Sequence, residues 1–288
     1  MLGALVSRAT LNPYRQRGFD VQIKLVATVA RLASACLIGF ANAYAEVIPI
    51  ASTSTGLLSS SAPTLTFYWP GKDSKAVLLF IPGGPGQIGL KPDTTEPQGE
   101  RPQMIKRLSE PGATSGRYDV VVIESPYPLS PNSSYPSARG TTDHIKRIEA
   151  AALYYKQKTG LPVWVMGHSN GGISLTAFIK YLQSEGKMDL ISGMVALEIR
   201  SESSFGPPID FPVLFVHHRK SDCQYAVGSE VVKIYDKLKA FDKAPTEFVW
   251  ITGGEAQADS CSSGFHVFHN AGPEVAKAID DFLSKIYP

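Results

Sequence analysis

The sequence Val163-Trp-Val-Met-Gly-His-Ser-Asn-Gly-Gly172 leads directly into Ile173-Ser-Leu-Thr-Ala-Phe-Ile-Lys-Tyr-Leu182, and this junction decides the fold. A short apolar run breaks at Gly-His-Ser-Asn-Gly, after which apolar residues recur at helical spacing. The pattern predicts a buried strand that turns sharply into an amphipathic helix. Glycines two residues either side of Ser169 fit such a turn, because larger side chains there would collide with the neighbouring strand and helix. We therefore predict that Ser169 projects its hydroxyl group outward from a helix N-terminus, where negative charge is favoured.

Other apolar runs alternate with helical patterns on both sides of this junction. We predict strands over residues 65–69, 75–81, 118–123, 191–197, 213–216 and 247–251, and helices over 103–108, 142–158, 229–240 and 273–286. Alternation at this spacing predicts an α/β fold, with a mainly parallel sheet and helices on both faces. Residues 64–288 are expected to form this one domain.

The first 63 residues have a different character. Residues 1–45 combine scattered cations, an apolar segment around 32–41 and a small-x-small sequence, Ala43-Tyr44-Ala45, before Glu46. These features predict a cleaved signal peptide, and hence an exported protein that is periplasmic or secreted. A retained anchor is the alternative, but the apolar segment is short for a membrane span. Residues 46–63 are rich in Ser, Thr and Ala and are expected to form a flexible leader.

The charge pattern gives no indication of a nucleic-acid partner. The chain of 288 residues has a formal net charge of +2, but residues 1–45 contribute five basic residues and one acidic residue. The remainder has 23 basic and 25 acidic residues, without a basic patch. We expect a small-molecule partner, no stable membrane insertion after signal removal and no cofactor. The oligomeric state is left open.

Two of the three cysteines remain once the signal segment, with Cys36, is removed. Cys223 and Cys261 then form an even pair in an exported chain, which predicts one disulfide. The loop that it closes would contribute about 4 kcal/mol in the chain-entropy treatment. Two buried free thiols are the alternative.

A serine hydroxyl needs a base to take its proton, and the chain offers six histidines. In this type of fold the base follows the last strand, where His266 and His269 occur. We predict Ser169 as nucleophile and His266 as base. His168 beside the serine is expected to be a packing residue.

The acid that orients the base is expected after the second strand beyond the serine turn. Asp222 is the only carboxylate in that turn, and a Cys223–Cys261 bond would tie it to the loop of His266. Asp222 is therefore the predicted acid. Glu198 and Asp259 are the rival carboxylates.

The remaining histidines have structural interpretations. His217 and His218 are expected to be strand-end or core histidines satisfied by the backbone, and His144 is expected to support a helix. Two adjacent histidines could suggest a metal, but no third ligand stands at a recognisable spacing. No metal site is predicted.

Acyl transfer also needs donors for the negative oxygen of a tetrahedral intermediate. The N–H of Asn170, directly after Ser169, is one predicted donor. The second is assigned to Gly84 in the sequence Pro82-Gly-Gly-Pro-Gly86, with Gly83 and Gly86 as alternatives. A tight strand exit without this role is the other interpretation of the glycine-rich loop.

The chain resembles the α/β-hydrolase family over residues 64–288, on the basis of Gly-His-Ser-Asn-Gly, the glycine-rich loop, Asp222 and His266 in that order. It is similar to small exported members without a lid domain, which have an Asp-Cys element and a Cys followed shortly by His-x-Phe. One departure is Pro82, where many relatives have His. The resemblance implies Ser169, His266 and Asp222 as a triad, with Gly84 and Asn170 as oxyanion donors.

These features predict an exported serine hydrolase of esterase type that cleaves carboxylic esters, or thioesters or amides, through an acyl-enzyme. A pocket bordered by Tyr127, Tyr135 and Phe205 is expected to be open, with only residues 201–210 available as a cap. A binding protein without turnover and an acyltransferase with the same triad are the alternatives. Activity is expected to rise with pH, with an apparent pKa near 6 to 7.

Overall fold

The computed structural model describes residues 44–53, 61–129, 138–206, 208–241 and 243–288. The predicted signal segment lies outside these residues except for Tyr44 and Ala45, and the predicted border residue Tyr135 lies outside them too.

Eight strands form one sheet. They are β1 (Glu46–Ile50), β2 (Thr64–Trp69), β3 (Ala76–Ile81), β4 (Tyr118–Glu124), β5 (Val163–His168), β6 (Gly193–Leu197), β7 (Val213–His218) and β8 (Thr246–Ile251). Their order across the sheet is β1-β2-β4-β3-β5-β6-β7-β8. The β1–β2 and β2–β4 pairs are antiparallel, and every other pair is parallel. The prediction of a mainly parallel sheet is confirmed.

Strand β1 corrects the prediction of a flexible leader over residues 46–63. Residues 46–50 pair in register with β2, and Ile48 and Ile50 are buried in the core. The period-free composition concealed this strand, because only two of its side chains need to face inward at the sheet edge. Residues 54–60 of the predicted leader lie outside the described part of the chain.

Within the described residues, five α-helices surround the sheet. They are α1 (Glu100–Lys106), α2 (Thr142–Thr159), α3 (Asn170–Ser184), α4 (Gly228–Lys239) and α5 (Gly272–Ile286). Short 3-10 helices occur at Arg107–Ser109, Met188–Leu190 and Gly264–Val267. Helix α2 begins as predicted, since Thr141 caps it by accepting the N–H of His144.

The core lies in two layers, one on each face of the sheet. Helices α2, α3 and α4 contribute to one layer, and α1 and α5 pack in the region of the other. Strand β3 shows why the sheet is covered twice: Val77 and Leu79 face the first layer, whereas Leu78 and Phe80 face the second. All six residues of β3 are buried, which is typical of a central parallel strand.

Within the described ranges, no helix combines the length and apolar character that crossing a membrane would require.

Candidate active site

Ser169 stands on the predicted sharp turn between β5 and α3. Its backbone has φ 52° and ψ −120°, an unusual conformation for a residue other than glycine. The turn is tight enough that a Cβ atom added at Gly167 would lie 2.6 Å from the carbonyl oxygen of Gly171. An added Cβ at Gly171 would collide in turn with the carbonyl oxygen of Ile81. The two glycines are therefore a steric requirement of the turn, as the sequence indicated.

The structure brings His266 to Ser169, as predicted. His266 lies in the 3-10 helix after β8, and its Nε2 is 2.8 Å from Ser169 Oγ. The rival His269 instead pairs through Nδ1 with Glu100. His266 is almost completely buried, so its contact with the serine is shielded from bulk water.

The acid beside His266 is Glu198, and the prediction of Asp222 is corrected. Glu198 Oε2 lies 3.0 Å from His266 Nδ1, and the side chain of Glu198 is fully buried. Asp222 is exposed and has no hydrogen-bond partner among the described residues. Asp259, the other rival, accepts N–H groups from its own turn, including that of Cys261.

Strand order explains why Glu198 occupies this position. Strand β6 pairs directly with β5, with Leu197 opposite His168, whereas β7 is one strand further away. The Ser169 N–H also donates to the carbonyl oxygen of Leu197 at 3.0 Å. The residue after Leu197 is therefore held at the level of the serine, and Glu198, with φ 43°, occupies it.

Several donors hold the Glu198 carboxylate in place. The N–H of His218 donates to Oε1, and Ser221 Oγ donates to Oε2 at 2.9 Å. His217 Nδ1 lies 3.5 Å from Oε1, but neither ring nitrogen of His217 makes a hydrogen bond of good geometry with a described residue. The expectation of a backbone-satisfied histidine therefore fits His218, which donates to the carbonyl oxygen of Gly253, but not His217.

Burial opposes charge on both members of the Glu198–His266 pair. It raises the pKa of Glu198 to about 7. Burial, together with the positive charges of Arg101 and Arg200, lowers the pKa of His266 to about 4. A neutral His266 that donates Nδ1–H to Glu198 presents its Nε2 lone pair to Ser169 Oγ. This is the arrangement that a general base requires.

His168 supports the base through its backbone. Its Nε2–H donates to the carbonyl oxygen of His266 at 2.9 Å. Burial, followed by the nearby charge of His266, lowers the pKa of His168 well below its ordinary value. This histidine therefore fixes the position of the base as well as packing beside it.

The glycine-rich loop after β3 lies against the serine. A Cβ atom added at Gly83 would be 2.9 Å from Ser169 Cβ. The carbonyl oxygen of Gly84 accepts Asn170 Nδ2 at 3.2 Å, so the loop is joined to the start of α3. This places Gly84 and Asn170 on the serine side of the site, and their role as oxyanion donors stays a prediction.

Arg139 anchors the same loop and gave no signal in the sequence. It is fully buried, and its Nη2 donates to the carbonyl oxygens of Pro82 at 3.0 Å and Gly84 at 2.8 Å. Its Nη1 donates to Ser174 Oγ at 2.8 Å, on α3. Arg139 thus connects the loop to the helix that carries the serine at its N-terminus.

His144 completes this buried network. Because an arginine can only donate, Ser174 Oγ accepts from Arg139 and donates its own hydrogen to His144 Nε2, 2.8 Å away. Burial lowers the pKa of His144 to about 3, which keeps the ring a neutral acceptor. The expected structural role of His144 therefore extends to the glycine-rich loop.

The predicted disulfide between Cys223 and Cys261 is confirmed, with a Cα–Cα distance of 4.7 Å. It joins the segment after β7 to the segment that leads into His266. Although Asp222 is not the partner of His266, Ser221 in the same segment donates to Glu198. The covalent bond therefore still connects a support of the acid to the loop of the base.

The expected pocket border is corrected at Phe205 and stays a prediction at Tyr127. Phe205 is buried and packs edge-on against Phe215, with ring centroids 6.3 Å apart, so it belongs to the core. Tyr127 is partly buried and donates its hydroxyl group to Asp143.

The described residues contain no group of three His, Cys, Asp or Glu side chains that could hold a metal ion.

The similarity of this chain to known proteins lies in its three-dimensional structure. No protein-family model matches the sequence, and no curated protein matches it. Among solved structures, the chain is similar to XC6422 from Xanthomonas campestris, described as an α/β serine hydrolase without lid, with 10% identity and a TM-score of 0.51. The match covers 84% of this chain and 94% of that one.

Two further structures give the same result. A dienelactone hydrolase from Anabaena variabilis ATCC 29413 has 13% identity and a TM-score of 0.53, covering 84% of this chain and 97% of that one. The esterase Est22 has 16% identity and a TM-score of 0.54, covering 84% and 78%. The chain therefore has the α/β-hydrolase fold.

Proposed function

We propose that this protein is a serine hydrolase that cleaves carboxylic esters through an acyl-enzyme. The observation that carries the proposal is the continuous line of contacts from Ser169 Oγ to His266 and on to the buried Glu198. This line supplies a nucleophile, a base and an acid that orients the base. The esterases and hydrolases among the structural neighbours agree with this chemistry.

In the proposed first half-reaction, His266 Nε2 takes the proton of Ser169 while Oγ attacks the ester carbonyl carbon. Glu198 stabilises the imidazolium that forms. The tetrahedral intermediate then collapses: the bond to the leaving oxygen breaks, and His266 gives its proton to that oxygen. The products are a free alcohol and an acyl group on Ser169.

In the second half-reaction, His266 takes a proton from water, and the hydroxide attacks the acyl carbon. Collapse returns the proton to Ser169 Oγ and releases a carboxylic acid. We assign the oxyanion of both intermediates to the backbone N–H groups of Gly84 and Asn170. The position of the Gly83–Gly84 loop against Ser169 supports this assignment.

We also propose that the protein is exported, to the periplasm or outside the cell. Two observations support this location. The disulfide is of a kind that persists in oxidising compartments. Cleavage after Ala45 would leave Glu46, the first residue of β1, so the removal of residues 1–45 spares the sheet.

The test is hydrolysis of p-nitrophenyl butyrate by the chain from residue 46, together with labelling by a fluorophosphonate. We expect turnover and one label per chain on Ser169, and we expect Ser169→Ala to lose both. Ser184→Ala is the matched control, because Ser184 is exposed at the end of α3 and should retain both. An unlabelled, folded wild-type chain would contradict the proposal and favour a binding protein without turnover.

A further inference from the structure

Three arginines lie around the triad, and they differ in the groups that contact their guanidinium. Arg200 pairs with Glu202 and donates to Asn170 Oδ1 at 3.0 Å. Arg139 donates to two carbonyl oxygens and a hydroxyl group. Arg101 makes no hydrogen bond and no ion pair with any described residue, although it is only partly exposed.

The neighbour of Arg101 in the chain contacts the segment that carries the base. Glu100, the first residue of α1, pairs with His269, three residues beyond His266. The start of α1 is therefore joined to the segment that carries the base. The positive charge of Arg101 contributes to the lowered pKa of His266, of His168 and of Arg139, which agrees with a guanidinium near the triad.

Three carboxylates of this region are held by other side chains. Glu198 holds His266, Glu202 holds Arg200, and Glu100 holds His269. Arg101 is the one of these three arginines whose guanidinium has no hydrogen-bond partner among the described residues. Burial lowers the pKa of Arg101, and the nearby charge of Glu100 opposes this shift without forming an ion pair. A charge removed from water without a partner is unfavourable. A planar guanidinium matches the two oxygens of a carboxylate in particular.

We propose that Arg101 binds a carboxylate group of the substrate, so that the site prefers esters that carry an anionic group over neutral esters. This inference rests on the proposed ester hydrolysis for its catalytic consequence. Arg101 acts here as a binding residue: it holds the free carboxylate while Ser169 attacks the ester carbonyl. The substrate class is therefore a half-ester of a dicarboxylic acid, or an ester with a comparable anionic arm.

The experiment compares two esters of the same chain length, p-nitrophenyl hydrogen glutarate and p-nitrophenyl pentanoate. We expect the wild-type kcat/KM to be higher for the glutarate ester. Arg101→Gln is expected to lower the glutarate-to-pentanoate ratio by about tenfold or more, the size of one charge-assisted hydrogen bond. Using the ratio at pH 8 cancels any change in the basicity of His266, because both esters share that base.

Arg107→Gln is the matched control. Arg107 is exposed, one residue beyond the end of α1, so the same charge is removed at a different position along the chain. We expect it to retain the wild-type ratio. Added salt should reduce the preference of the wild type, because screening weakens attraction between charges that solvent can reach. A wild-type preference for pentanoate, or an unchanged ratio in Arg101→Gln, would overturn the inference.

A binding measurement separates this inference from the proposed function. Calorimetry with monomethyl glutarate is performed on Ser169→Ala, with and without Arg101→Gln, after thermal melts have shown that both variants fold. Binding that disappears with Arg101→Gln supports the subsite even if no ester is hydrolysed. Absence of binding to Ser169→Ala overturns the subsite even if neutral esters are hydrolysed.

Discussion

At the scale of single residues, the position of Glu198 has the clearest consequence. Its carboxylate is fully buried and lies 3.0 Å from His266 Nδ1, whereas Asp222 is exposed. We expect Glu198→Gln to lower kcat by about a hundredfold or more, because an amide neither stabilises the imidazolium nor fixes the tautomer of the base. Steady-state kinetics with p-nitrophenyl butyrate measure this loss.

Asp222→Asn is the control for the acid, and it should stay within about twofold of the wild type, as expected for an exposed side chain. The reverse result, a large loss with Asp222→Asn and a small one with Glu198→Gln, would show that Asp222 is the acid, as the sequence predicted.

The pH dependence follows from the charges around His266. The base works only when unprotonated, so activity is present above the apparent pKa of the Glu198–His266 pair and is lost as pH falls through it. Arg101 lowers the pKa of His266. Arg101→Gln should therefore move the acidic limb of the pH–rate profile to higher pH, by about 0.5 to 1 unit.

Arg101→Lys is the comparison for this shift, because it keeps the positive charge and should leave the limb near its wild-type position. Profiles measured with the neutral pentanoate ester keep the effect separate from substrate binding. If the acidic limb of Arg101→Gln moved to lower pH, the inference that the charge of Arg101 lowers the pKa of His266 would be wrong.

Sequence reasoning located the serine and the base but missed the acid. Ser169 and His266 follow from local patterns, namely the glycines of a tight turn and the position after the last strand. The acid depends on which strand lies beside β5, and chain order does not give this directly. Glu198 was visible as the residue after a predicted strand, but the Asp-Cys pair at 222–223 favoured the wrong loop.

At the scale of elements, Arg139 determines how the glycine-rich loop sits against α3. We expect Arg139→Gln to lower kcat by about tenfold to a hundredfold with a smaller change in KM, because loosened oxyanion donors affect the transition state most. Inhibition by a boronic acid, whose adduct with the serine resembles the tetrahedral intermediate, should weaken in parallel. Parallel losses in kcat and inhibitor affinity would indicate loop positioning.

A matched variant for Arg139→Gln is Arg117→Gln, since the Arg117 guanidinium donates to the carbonyl oxygen of the exposed residue Pro288. It should keep both kcat and inhibitor affinity. If Arg139→Gln raised KM by the same factor as it weakened inhibitor binding, the result would indicate a general loosening of the fold instead.

The strands and helices of the parallel region were largely predictable, because central strands are continuously apolar and the helices carry an apolar stripe. Strand β1 was not, because it lies at the sheet edge with a mixed composition. The Arg139–Ser174–His144 network was not predictable either. It joins three elements by polar contacts that leave no periodic signature in the sequence.

At the scale of the whole molecule, the disulfide is the covalent link between the segments after β7 and β8. We expect a Cys223→Ser, Cys261→Ser variant to unfold at a lower temperature, with a loss of about 4 kcal/mol at most, because the unfolded chain regains the freedom of a 38-residue loop. Activity should fall as well, since the bond joins the segment of Ser221 to that of His266. Calorimetry and ester hydrolysis measure the two effects.

Full activity and an unchanged melting temperature in the double variant would show that the bond is dispensable.

The Cys223–Cys261 bond also implies an order of events in the life of the molecule. A newly synthesised chain in a reducing compartment carries two thiols at these positions, so the segments beneath Glu198 and before His266 are not yet covalently joined. For the proposed exported protein, catalytic competence should then mature after translocation, when an oxidant closes the bond. Under the proposed ester hydrolysis, such latency would protect the esters of the producing cell.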